Sequence, residues 1–117
     1  MAKEIKAIKA IKATKAIYDS DIVCAINEVV EKCSHFKIGK TGETIQDRGN
    51  QPDYQEYDLI QSLFSSPSED LISILEKRFI DMFIDHSKND NDKTGEQSVN
   101  DEMAKSDEYH LYIVWKQ

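Results

Sequence analysis

The chain has 117 residues, of which 39% are apolar and 32% charged, with a net charge of -7; that suffices for one domain with a single modest core. No apolar run approaches the ~20 residues of a membrane span, and the lysine-bearing N-terminus lacks the continuous apolar stretch of a secretory signal. An acidic body repels nucleic acid at long range, so any binding to a polyanion requires a local basic patch.

Residues 1–16 hold five lysines and one glutamate, which leaves the rest of the chain at a net charge of -11. Within this segment Ile5, Ile8 and Ile11 alternate with lysines every three residues. That period drifts around an α-helix by about 60° per repeat, so it defines no core-facing stripe. The reading is a basic N-terminal arm over residues 1–15 with fraying helical character, or an arm that touches DNA. Ala16-Ile17-Tyr18 then begins the first ordered strand, near residues 16–19.

Asp19 or Ser20 is suited to cap a helix over residues 20–33. Ile22, Val23, Ile26, Val29, Val30 and Cys33 fall on one face of it. Cys24 lies on the polar side. Nine residues separate it from Cys33, about 13 Å along a helix, which is too far for a disulfide. An intracellular, reducing location is the simpler expectation.

Residues 35–41 read as a strand leading into the Gly39-Lys40-Thr41-Gly42 string, followed by one or two helical turns over 44–49 that present Arg48. Such a turn lets backbone N–H groups approach an anion, and an arginine meets a phosphate through two parallel hydrogen bonds. The string is not a nucleotide-binding P-loop, because Ser34 stands where its first glycine is needed. Residues 57–64 form a further strand. Ser65-Ser66-Pro67-Ser68 breaks the chain before a long helix over 68–86, with Glu69 and Asp70 in its first turn.

On that helix Leu71, Ile72, Leu75, Phe79, Met82 and Phe83 make an apolar arc, and Glu76 lies inside it. A carboxylate there is costly unless it is paired, metal-bound or at the arc's exposed edge. Either it is an edge residue or a buried partner for Arg48 or Lys37, or it is a metal ligand. Residues 87–108 carry seven acidic residues against three lysines and almost nothing apolar; they read as an acidic flexible loop. Within it, residues 90–101 place oxygen-bearing side chains at calcium-loop positions 1, 3, 5, 9 and 12 and glycine at 6. Gln97 stands at the eighth position and Asp101 at the twelfth, which favours a plain acidic loop. Residues 109–116 form the last strand.

Together, Lys37-Ile38-Gly39-Lys40-Thr41, then Arg48, then Leu75-Glu76-Lys77-Arg78, then Asn89 or Asn91 resemble the motif series of the GIY-YIG nuclease superfamily across residues 36–91. Lys37 stands at the family's second tyrosine position, and Ala16-Ile17-Tyr18 at its first motif. The resemblance implies an α+β domain over residues 16–117, a small, mainly antiparallel β-sheet flanked by helices, and a metal-dependent DNA endonuclease. It further implies that Glu76 holds Mg²⁺ or Mn²⁺ and that Arg48 stabilises charge on the phosphate. Tyr18 would orient or deprotonate the attacking water, with Lys37 or His35 assisting. Lys37, Lys40, Thr41, Arg48 and Asn89 would line the DNA. Tyr18 reads equally well as an aromatic of a core strand, and His35 as a strand-surface histidine. The rival expectation is a non-catalytic module that keeps the fold and binds protein or nucleic acid through the basic arm or the acidic loop. The two differ in one observable: a nuclease needs Tyr18, Lys37, Arg48 and Glu76 in one accessible cleft.

Overall fold

The computed structural model describes residues 8–14, 16–91, 103 and 105–117. Its elements in chain order are β1 (Lys9–Ile11), α1 (Asp19–Lys32), β2 (His35–Thr41), α2 (Ile45–Gly49), a 3₁₀ turn (Pro52–Tyr54), β3 (Leu59–Ser66), α3 (Glu69–Phe83) and β4 (Tyr109–Lys116). The fold is a small α+β domain. Four strands form one mixed sheet in the order β1-β3-β4-β2, with β4 antiparallel to both neighbours and β1 parallel to β3.

Because side chains alternate across a strand, the sheet has two apolar faces. One meets α1 and α3: Phe36 and Ile38 of β2, Leu63 of β3, and Leu111, Ile113 and Trp115 of β4 pack with Ile22, Ile26, Val29, Ile72 and Phe79. The other carries Ile60, Tyr112 and Val114, covered by Tyr54, Tyr57 and Ile8, with Ile45 of α2 alongside.

Of the two long helices, α3 begins where expected, whereas Asp19 and Ser20, expected to cap α1, lie inside it and Tyr18 is the N-cap. Ser68 accepts a hydrogen bond from the Leu71 amide at 3.1 Å and starts α3. At α1 the cap is different: Asp21 reaches back to the amides of Ile17 and Tyr18, each at 2.9 Å. Those bonds satisfy the amides where a strand was expected, and residues 16–18 are a turn into the helix rather than an ordered strand. On α3 the apolar arc is wider than the buried face. Ile72, Leu75, Phe79 and Ile80 are buried, whereas Leu71, Ile74 and Met82 are exposed.

The larger correction concerns residues 9–11 of the expected basic arm; its residues 1–7 and 15 lie outside the described residues. Lys9–Ile11 is an edge strand, registered with Lys9 opposite Leu59 and Ile11 opposite Gln61. Its amides are used beyond the ladder too, with Lys9 N–H donating to Asp58 at 3.0 Å and Thr14 N–H to Ser62 at 2.9 Å. The three-residue repeat that spoils a helical stripe suits an edge strand. Isoleucines three apart on a strand project to opposite faces. Ile8 is buried in the tyrosine-lined cluster, while Ile11 packs against the helix-covered core. Gly49 permits this, since a Cβ there would overlap Ile8 Cγ2 and stand 3.1 Å from Ile60 Cγ2.

Residues 35–41 form the strand expected, so Gly39, Lys40 and Thr41 are strand residues and not a loose turn. A helix over residues 45–49 follows, capped by Thr44, which accepts from the Asp47 amide at 3.2 Å. The expected calcium-type loop falls mostly on residues 92–102, outside the described residues.

Candidate phosphate-binding face and its neighbours

Alternation along β2 sorts the expected site residues. His35, Lys37, Gly39 and Thr41 share the face that carries Tyr112, and Phe36, Ile38 and Lys40 share the face covered by α1 and α3. Lys37 and Lys40, both expected to line one DNA site, therefore lie on opposite sides of the sheet.

Arg48 belongs to the Lys37 side. Its Nε donates to Tyr112 Oη at 3.0 Å and its Nη2 to Tyr54 Oη at 3.2 Å. The two phenol oxygens are themselves hydrogen-bonded to each other. The guanidinium carbon lies 4.8 Å from the Tyr54 ring centroid, and Lys37 Nζ lies 6.0 Å from the same centroid. Gly39 makes this packing possible: a Cβ at that position would overlap the Tyr112 phenol.

The electrostatics of the cluster follow from burial. Burial works against the charge on Arg48, but the Tyr112 and Tyr54 oxygens outweigh it, and the guanidinium is held more firmly protonated than a free arginine. Burial also pushes the Tyr112 phenol well above its ordinary value, with Tyr54 adding to the effect and Arg48 opposing it. Tyr112 is therefore a neutral hydroxyl at neutral pH and not a phenolate base. Of the five N–H donors of a guanidinium, two are spent on phenols. Among the described residues no ion pair joins a carboxylate to Arg48, a half-buried cation with three further N–H donors.

Glu76 is 5% exposed and lies beside Lys40, whose Nζ stands 3.9 Å from Glu76 Oε1 and donates to Ser73 Oγ at 3.1 Å. This is an ion pair tying α3 to β2 on the far side of the sheet from Arg48. It matches the expectation of a buried partner, with Lys40 rather than Lys37 or Arg48 as the cation. A lysine ammonium already supplies the countercharge that a metal would supply, and no group of three or more His, Cys, Asp or Glu donors among the described residues includes Glu76. The Glu76 surroundings do not fit Mg²⁺ or Mn²⁺.

No family model matches this chain, and no curated protein or solved structure matches it.

The remaining expected site residues are placed as follows. Tyr18 is 70% exposed at the start of α1. No hydrogen bond or ring contact among the described residues joins it to Lys37, Arg48 or Glu76. Thr41 is buried and accepts from the Glu43 amide at 2.9 Å, a turn-closing role. Asn89 is consumed structurally, donating to the Phe83 carbonyl at 2.8 Å and accepting from the Asn91 amide at 2.6 Å. Asn91 pairs its amide with both backbone groups of Ile38, at 3.0 and 2.8 Å, in the manner of an added strand residue. His35 stands at the start of β2 in contact with Asp90. Tyr18, Lys37, Arg48 and Glu76 thus do not converge on one cleft.

Sequence reasoning gave no site role to Tyr54, Tyr57, Tyr112 or Glu56, and weighed Asp90 only as the first position of a calcium-type loop. One signal pointed to Tyr112, a glycine inside an apolar strand, which often marks the close approach of another group. That signal names the partner only after the β2–β4 register is known.

Proposed function

We propose that the Lys37–Arg48 face binds a nucleic-acid backbone phosphate, making the domain a nucleic-acid interaction module. The observation that carries this reading is Arg48, a half-buried guanidinium held by two phenol oxygens. A half-buried cation with donors beyond those two bonds and no described carboxylate partner suits a phosphate, which accepts paired N–H bonds from a planar fork. Lys37, close to the same Tyr54 ring, adds a second positive charge. The body of the molecule is acidic, so affinity must come from this local pair and not from a basic surface.

The likeness to GIY-YIG nucleases supports a nucleic-acid ligand, but hydrolysis by a cation on Glu76 is not part of this proposal. Glu76 lies on the buried face of α3 and is paired with Lys40 of β2. No helix of the described residues is long and apolar enough to cross a membrane. An intracellular location is supported by the two free cysteines, one exposed at position 24 and one buried at position 33.

The test is binding of a fluorescent 12-nucleotide single strand at low salt in EDTA. Arg48→Gln is expected to weaken binding at least tenfold. Arg48→Lys should recover only part of the loss, because an ammonium keeps the charge without the fork. Absence of wild-type binding at 50 mM salt, or equal binding by Arg48→Gln, would sink the proposal.

A further inference from the structure

Two residues along β2 from Lys37, on the same face, His35 meets groups that the phosphate reading does not use. Its imidazole Nδ1 contacts Asp90 Oδ2, and Glu56 lies beside both. One donor atom from each of the three lies within 4.8 Å of the others. We infer that His35, Glu56 and Asp90 form a binding site for a divalent transition-metal ion such as Zn²⁺ or Mn²⁺.

The scaffold under the three side chains is well held. His35 begins a strand, and the Asp90 amide donates to the Phe36 carbonyl of that strand at 2.8 Å. The neighbouring Phe36 amide donates to Lys88 at 2.9 Å, so residues 88–90 run along the open edge of β2. Tyr57 fixes the carboxylate from behind, its Oη donating to Asp90 Oδ2 at 2.8 Å and its ring lying 5.3 Å from the His35 ring. Hydrogen-bond support of this kind orients metal-binding carboxylates. Glu56 precedes the buried Tyr57 and is exposed. It is the ligand free to rotate inward, which the spread of donors requires, because bonds of ~2.1 Å need ligand atoms about 3 Å apart.

The donor chemistry selects the ion. An imidazole nitrogen among the donors suits a first-row transition ion, whereas Ca²⁺ wants six to eight oxygens. Two carboxylates also balance the charge of a dication. In the bound form His35 Nδ1 presents its lone pair, and the ring proton sits on Nε2.

The test uses the full chain and the metal alone. Mn²⁺ is titrated while the free-ion signal is followed by electron paramagnetic resonance, and Zn²⁺ is then added as competitor. One equivalent of Mn²⁺ should bind, and Zn²⁺ should displace it, as the general affinity order requires. His35→Ala should weaken binding at least tenfold. Glu56→Gln, a change at an exposed turn residue, should also weaken it and serves if His35→Ala fails to fold. The inference is overturned if wild type takes up no Mn²⁺ at millimolar concentration. It is equally overturned if both folded variants bind as wild type does, or if Ca²⁺ displaces Mn²⁺ more effectively than Zn²⁺, results that would place the ion away from His35 and Glu56. Oligonucleotide binding is measured in EDTA, so failure of the metal site and failure of the phosphate reading are separate results.

Discussion

Gly39 is the place where the backbone of β2 gives room to a phenol that positions Arg48. An alanine there would drive its Cβ into Tyr112, a residue buried to 1% exposure. Overpacking of this kind costs about 1–3 kcal/mol. Gly39→Ala should therefore lower stability by that amount in urea unfolding and also weaken oligonucleotide binding, because Tyr112 moves with respect to Arg48. His110 gives a residue-level prediction of a different sort. Burial holds its imidazole below its ordinary value of 6.5, with Glu108 pulling the other way. The unfolded chain thus takes up a proton at a higher pH than the folded one. Stability is complete above about pH 6.5 and falls as the pH drops from there towards the lower folded value. Comparing urea midpoints at pH 7.5 and 5.0, His110→Gln should lose less stability than wild type; an identical loss would remove His110 as a cause.

At the scale of elements, the two long helices and the two long strands β2 and β4 were legible because their patterns are strong and local. The apolar face of residues 20–33 and the run Tyr109–Trp115 needed no partner to be recognised. β3 was legible too, although it runs over Leu59–Ser66, two residues later at both ends than the expected 57–64. β1 was not, because an edge strand of three residues takes its conformation from the ladder it joins. Ile8 tests that difference. As part of a loose arm it would be silent, but buried beside Ile60 and Gly49 it should cost about 2–5 kcal/mol when cut to alanine. The Lys40–Glu76 pair supplies a second test, joining α3 to β2. Lys40→Met alone leaves a buried carboxylate without this countercharge and should destabilise by about 3 kcal/mol. Lys40→Met with Glu76→Leu should recover most of that loss in a double-mutant cycle, since an apolar pair of similar size often replaces a buried ion pair without penalty.

On the scale of the whole molecule, the sheet divides the chemistry. One side holds the helix-covered core with Lys40 and Glu76, and the other holds Tyr54, Tyr57, Tyr112, Arg48, Lys37 and His35. With two cations on a chain of net charge -7, single-strand binding should depend weakly on salt. Two phosphate contacts give a logarithmic slope of about -1.4, or roughly a sevenfold loss between 50 and 200 mM. A slope near -5 would mean that the N-terminal lysines carry the binding. The sequence by itself determined the α+β class, the long helices, the strand over 35–41 with its arginine-bearing helix, and the oddity of Glu76. These depend on periodicity and capping, which act within a few residues. Which side of the sheet each group occupies was decided only in the tertiary structure. In a strand, one step in sequence reverses the facing of a side chain, and the phenols that hold Arg48 arrive from positions 6 and 64 residues away. Lys40 rather than Arg48 therefore became the partner of Glu76, and the tyrosines became the bed of the arginine.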